Sequence, residues 1–248
     1  MTTSHVLWLG LFLAVTSGLL LAPLYPTWKE WRHPQDMTAL AFPLLPAARG
    51  PAPVERVWLT ADTPLHQEVE AAHSMVVMPG SHFKKLMAPS ILFGIDRPIQ
   101  NRDSDAMARP SPIEALPQAI HWGANGWRIA GDCRIPAAHQ LAGSLVITGH
   151  LWIGSDCMIQ GDIKVHGDVS VGARTVVSGA LISDACIDLQ EASAVHGPLL
   201  CAGNLTLGDM VVLGQVGKPT SVCADNIFVL GTAMAHGTVH ARRTGQLA

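Results

Sequence analysis

The chain is poor in charge and in aromatic rings. Of its 248 residues, 14% are charged and 5% are aromatic, with a single tyrosine. A formal net charge of −3 offers no basic patch to a nucleic acid. The five cysteines, Cys133, Cys157, Cys186, Cys201 and Cys223, are odd in number and contain no CxxC pair. That spacing argues against a disulfide framework and against a zinc site, and the five read as reduced thiols of a cytosolic domain. A phosphate-binding P-loop, a GxGxxG turn and a Ser-His-Asp signature are all missing.

Lysine and arginine are also missing ahead of Val6, where an uncharged run begins and continues to Thr27. As a helix, "VLWLGLFLAVTSGLLLAPLYPT" would extend about 33 Å, enough for a hydrocarbon core of roughly 30 Å. Pro23 and Pro26 lie at its end, and Tyr25, Trp28 and Trp31 follow as an interfacial belt would. A signal peptide would need a basic leading segment, which "MTTSH" does not supply. Residues 6–27 are therefore expected to form a single transmembrane helix. Lys29, Arg32 and Arg49 all follow the span, so the positive-inside rule places the N-terminus outside and the remainder in the cytoplasm. The location expected is a membrane crossed once, with the C-terminal part in the cytoplasm.

Between the span and the C-terminal half the signals are weaker. Residues 28–55 are rich in proline and alanine and read as a linker. Residues 56–99 read as a small α/β or irregular module. In it "TPLHQEVEAAHS" carries a Thr63 cap and Pro64 at the first helical position, "SHFKKLM" looks like one or two helical turns, and "MVVM" and "SILFGI" are short strands. This module is also a candidate docking point for a partner protein. Residues 100–121 mix charge and proline and read as a second linker.

Residues 122–241 repeat. Gly143, Gly161, Gly179 and Gly197 are spaced by 18 residues, and so are Leu145, Ile163, Leu181 and Leu199. Leu151, Val169, Ile187 and Leu205 keep the same period, as do Ile135, Ile153, Val171, Leu189 and Leu207, and Leu141, Ile159, Val177, Val195 and Leu213. Only stacked coils hold such a register, because each coil places like on like. Within one period the apolar residues are two apart and then four apart, as in Ile153, Cys157, Ile159, Ile163 and Val165. Spacing of two is a strand with one buried face, and the jump of four is a corner. Three strands and three corners give a triangular parallel β-helix of about six coils over 122–241, interrupted by a small loop at "GKPT". One coil buries too few side chains to offset its backbone entropy, so every coil depends on its neighbours. A left-handed helix would favour glycine after each buried aliphatic, but only four of twelve such positions from Thr148 carry it. The general crossover rule favours the right hand.

The phrases "IQGDIKVHGDVSVGARTVVSGAL" and "CAGNLTLGDMVVLGQV" resemble the bactofilins, the polymer-forming cytoskeletal proteins of bacteria. The resemblance covers roughly residues 122–241. It implies a right-handed β-helix, nucleotide-independent filaments joined through the helix ends, and a scaffold role in cell shape or envelope synthesis. The chain departs from that family's usual short N-terminal tail by a full membrane span.

The end coils expose strand edges, so Trp127 and Ile129 in the first coil and Ile227, Phe228, Val229 and Met234 in the last are the expected polymerisation interface. Phe228 lies between two inward positions, so its side chain is expected to face outward. The tail "ARRTGQLA" looks too short to cover that end. A left-handed β-helix acyltransferase or carbonic anhydrase is the enzyme alternative. His150, His166, His196 and His236 could serve it only as a stacked set, and no two of them are 18 apart. His166 and His196 read as outward corner residues, and Asp162 and Asp168 as corner aspartates. No enzyme activity, cofactor or metal is therefore expected. A third reading is a membrane adaptor that recruits an envelope enzyme through residues 56–99 without polymerising.

Overall fold

The computed structural model describes residues 56–61, 68–95, 99, 119–122 and 126–248. The span at 6–27, the linker at 28–55 and most of the linker at 100–121 lie outside them. Among the described residues no helix is long and apolar enough to cross a membrane. Those residues form an all-β solenoid of about nine turns with no helix.

Three walls of parallel strands run along the solenoid axis. The first wall stacks β6 (Gly126–Ile129), β9 (Ser144–Ile147), β12 (Ile163–Val165), β15 (Leu181–Ser183) and β18 (Leu199–Cys201). The second stacks β7 (Cys133–Ile135), β10 (Leu151–Ile153), β13 (Val169–Val171), β16 (Ile187–Leu189) and β19 (Asn204–Leu207). The third stacks β8 (Gln140–Ala142), β11 (Met158–Gln160), β14 (Val176–Val177), β17 (Ala194–Val195) and β20 (Val211–Leu213). Each register joins residues 18 apart, as Leu151↔Val169 and Ile163↔Leu181 do. The expected apolar columns are thus the buried interior: Leu145, Ile163, Leu181 and Leu199 are each at most 1% exposed.

The corners are held by the coil above or below. Between the second and third walls, Ala138, Asp156, Arg174, Ala192 and Met210 all take the left-handed conformation, with φ between 54° and 60°. A side chain disfavours that region by about 1–2 kcal/mol. Hydrogen bonds to the neighbouring coil hold it there: Asp156 N–H donates to Ala173 O at 2.9 Å, and Arg174 N–H to Glu191 O at 2.9 Å. Arg174 also grips Asp156 with two nitrogens, at 2.8 and 2.6 Å.

The period breaks at β21 (Thr220–Val229), which serves two walls in one strand and sits 22–23 residues from its partners in β18 and β19. The extra residues form the turn at Gly214–Pro219, closed by a Gln215–Lys218 bridge, at the "GKPT" loop. After it β22 (Ala233–Leu247) wraps all three walls. The tail "ARRTGQLA" is therefore a strand, with Gln246 and Leu247 paired to Phe228 and Val229.

Beyond β22 the structure departs from expectation. The next layer is β4 (His82–Phe93), which runs antiparallel to β22 with Met234 opposite Leu92 and Val239 opposite Leu86. On β4 lie β3 (Ser74–Val77) and β2 (Glu68–Glu70), both parallel to it, and β1 (Arg56–Leu59) lies on β3. The described residues of 56–99 do not form a separate α/β or irregular module. Strands β1–β4 are further solenoid layers laid on the C-terminal end with the chain direction reversed, and residues 53–248 form one compact unit. The expected turns of helix at "SHFKKLM" are strand, and the part of "TPLHQEVEAAHS" that is described includes β2. Phe83 and Leu86 are three apart as on a helix face, yet both are buried because β4 turns a corner between them. The expected count of six coils missed these turns. At the other end β5 (Ala119–Trp122) folds back on β6 as an antiparallel hairpin.

Candidate functional site

The expected interface residues fall in different settings. Ile129 is buried in the core, and Trp127 is half-buried, with the His121 ring edge-on at 5.1 Å. Both belong to β6, whose outer edge β5 covers. In the first coil the outer edges of β7 and β8 carry no strand among the described residues. Ile227, Phe228, Val229 and Met234 do not form an end at all. β21 lies between β19 and β22, so Phe228 pairs with Thr206 on one side and Gln246 on the other. Its side chain does face outward between the buried Ile227 and Val229, but on a wall rather than a rim. Met234 is 2% exposed and is sandwiched between Val212 and Leu92.

The terminal strands at this end are β1 and β2. Trp58 is 50% exposed on β1 with the Arg56 guanidinium 5.0 Å over its ring, and Glu68 on β2 pairs with Lys85 at 3.1 Å. Replacing Phe228 with Arg should therefore leave self-association and folding close to wild type. An outward side chain in mid-wall can keep a charge in water, so the expected cost is about 1 kcal/mol or less. Sedimentation and thermal melting check this, and a lost assembly with intact melting would restore Phe228 to an interface.

The polar residues of the corners are spent on the solenoid itself. Asp132 accepts the His150 N–H at 2.8 Å, Asp168 accepts the Cys186 N–H at 3.0 Å, and Asp162 accepts the Ala180 N–H at 2.8 Å. Each carboxylate thus caps the coil that follows. His166 Nδ1 lies 2.6 Å from Asp184, both half-exposed. The Thr232 hydroxyl and N–H hold the Asp209 carboxyl below the usual range. Among the described residues no group of three or more His, Cys, Asp or Glu converges on a point that could hold a metal. All five cysteines are free. Cys133, Cys157 and Cys201 are buried, whereas Cys186 is exposed. Burial pushes the Cys201 thiol up to about 11, which keeps it protonated at neutral pH.

His196 is not the outward corner residue expected of it. It is half-buried, and Gln215 Nε2 donates to its Nδ1 at 3.0 Å. The ring proton then sits on Nε2, which is buried without a partner. Burial first, and the positive charge of Lys218 second, push this imidazole below its usual range. An unfolded histidine takes a proton near pH 6.5, whereas the folded one takes it only at lower pH. The unfolded state then binds more protons in that window. Stability should fall as pH drops through about 6.5, with the loss complete below the folded value. Melting temperature followed from neutral to mildly acid pH should show that decline, and His196→Gln should flatten it. An unchanged slope in the variant would mean that another group titrates.

One cleft lies at the seam between the reversed turns and the main stack. It holds about 300 Å³ and is lined by Glu70, Met87, Gln215, Pro219, His236 and Thr238, among others. His236 Nδ1 meets the Pro89 carbonyl across the seam at 2.9 Å, so the ring ties the two parts together. The cleft is mostly apolar.

Compared with models of known protein families, with curated proteins and with solved structures, the chain matches none.

Proposed function

We propose that this is a non-catalytic, self-associating scaffold protein of bactofilin-like character, held at a bacterial inner membrane by residues 6–27. One observation carries the reading. Corner carboxylates and histidines are engaged with adjacent coils, and the walls are continuous, so the chemistry present serves stacking. A molecule built by adding coil to coil can add the coils of another copy by the same bonds. The contacts would lie at the edges of β7 and β8 beside Trp127 at one end, and of β1 and β2 at the other. With an interface at each end, association is head-to-tail and open, and it yields filaments rather than closed dimers. The reading carries with it a right-handed coil, an N-terminus outside the membrane and a solenoid in the cytoplasm. The work of such a polymer would be to organise cell shape or envelope synthesis.

Electron microscopy and sedimentation of residues 53–248, the compact unit, test the assembly. Elongated oligomers that grow with concentration are expected. A monodisperse monomer at high concentration would overturn the scaffold reading. A C-terminal fluorescent fusion that folds only in the cytoplasm should glow, and a dark fusion of normal abundance would reverse the topology.

A further inference from the structure

The turn that breaks the 18-residue period stands beside the reversed layers, and the seam cleft lies between them. Gln215, Gly217 and Pro219 of that turn form one side of the cleft, and Met87, Ala88 and Pro89 of β4 form another. Here β22 and β4 lose register. Ala235 faces Ile91 and Gly237 faces Ala88, so His236 alone opposes Pro89 and Ser90. A bulge of this kind re-aims a side chain, and bulges are over-represented next to active sites. Pro89 has no N–H to give to a ladder, which suits it to the bulge. Gly237, next to the ring, takes a φ of 119°, and a side chain there would strike the Thr220 carbonyl. The backbone on both sides of the seam is thus shaped around His236.

The fixed polar groups of the lining are acceptors. His236 is 6% exposed, and its Nδ1 donates to the Pro89 carbonyl at 2.9 Å, so in the neutral ring Nε2 is a lone-pair acceptor. That nitrogen meets no donor among the described residues. Unlike His196 Nε2, it is not sealed in the interior, and the ring lines the cleft. Gln215 spends its amide N–H on His196 at 3.0 Å, which leaves its carbonyl oxygen to accept. Glu70 is exposed and pairs with no cation among the described residues, because Lys85 beside it is held by Glu68 at 3.1 Å. No lysine or arginine is among the lining residues. Lys218, between Gly217 and Pro219, is not part of the lining, and its charge acts on His196. An anion would be repelled by Glu70. An apolar molecule without a donor would leave the buried His236 acceptor bare, which is costly. A primary ammonium brings N–H donors and no acceptor, and an alkyl chain suits the floor of Ala71, Met87, Ala88, Pro89 and Pro219.

We infer that the seam cleft is a binding site for a small aliphatic amine, held as its ammonium by His236, Gln215 and Glu70. At about 300 Å³ the cleft stands at the lower end of the range for small-ligand sites. A molecule bound there touches β2, β4, β22 and the turn together, so it fastens the reversed layers to the main stack. The site does not depend on self-association, and a monomer would bind as a filament does.

n-Butylammonium chloride is the probe, with butyrate and n-butanol as controls of matched size and of opposite or no charge. In saturation-transfer NMR on the full chain in a non-ionic detergent, butylammonium should receive magnetisation above the level of detergent alone, and butyrate should not. Glu70→Gln should weaken butylammonium binding by up to about fivefold, the modest share expected of an exposed carboxylate. His236→Phe keeps a ring in place but removes the buried acceptor, and it should abolish the transfer. If His236→Phe loses its β circular dichroism, Glu70→Gln decides, because an exposed and unpaired side chain can be exchanged without unfolding the seam. No transfer to butylammonium, equal transfer to all three probes, or binding unchanged in Glu70→Gln or in a folded His236→Phe protein would each overturn the site.

Discussion

Deleting residues 56–93 is expected to turn the C-terminal end of the solenoid into an adhesive one. The deletion uncovers β22, a 15-residue strand that wraps three walls and would lose its whole antiparallel partner. It also uncovers the apolar end beneath, because Leu86, Ile91 and Phe93 are fully buried against the main stack. By contrast the end as it stands is blunt. β1 and β2 are four and three residues long, and Arg56, Glu68 and Glu70 lie on them. Short, charged edge strands restrict pairing to a partner that complements them, as the end of a second copy would, whereas long bare ones accept any strand. The shortened chain should therefore form large irregular aggregates at concentrations where the full chain forms only elongated end-to-end oligomers.

A point substitution should act in the same direction. A side chain at Gly245 would run into the Phe83 ring, which is itself 3% exposed and tilted against Phe93 at 5.6 Å, so it has nowhere to turn. Gly245→Leu is thus a wedge at the seam that leaves the main columns untouched. A shortened chain that stays folded and monomeric would show that the reversed turns do not guard this end.

The reach of the sequence follows from the same geometry. Stacking at a constant 18 residues puts Leu145, Ile163, Leu181 and Leu199 in register, and a constant offset is visible without coordinates. In the reversed turns the offset drifts from 18 between Arg56 and Ser74 to 17 between Glu68 and Lys85 and 16 between Ser74 and Ser90. Two turns with a drifting offset leave no column to read. The strands at "MVVM" and "SILFGI" were legible from β-propensity, but their place was not. An antiparallel layer contributed from the other end of the chain leaves no periodic trace in the sequence. That is why Ile227, Phe228, Val229 and Met234 read as an open rim in the sequence: the last coil in sequence is not the last coil in space. On the third wall the outward residues Met158, Val176, Ala194 and Val212 are buried as well, and the sequence hides this for a related reason. Met158, Val176, Ala194 and Val212 sit beside inward residues, so each pair reads as a short apolar run rather than as two opposite faces.

Val171→Arg should abolish cooperative folding of the solenoid, whereas Ser170→Arg next to it should be tolerated. Val171 is fully buried on β13, stacked between Ile153 and Leu189. A guanidinium there has no carboxylate within the core to meet, since no aspartate or glutamate is buried among the described residues. An unpaired buried charge costs several kcal/mol, roughly 3–5 or more. A typical domain has only about 5–15 kcal/mol in total. The position makes the loss worse than in a globular core. Stability of a solenoid is a sum of coils and the interfaces between neighbours, so damage to a middle coil removes two interfaces at once. Ser170 points out from the same strand and is half-exposed, so its substitution leaves the stack intact and keeps the charge in water. Circular dichroism melts of the two variants separate these outcomes. The Ser170 variant should melt within a few degrees of wild type, and the Val171 variant should show no native transition. A Val171→Arg protein that melts cooperatively near the wild-type temperature would mean that the interior of the prism admits water or a counter-ion, and the dry triangular core described here would be wrong.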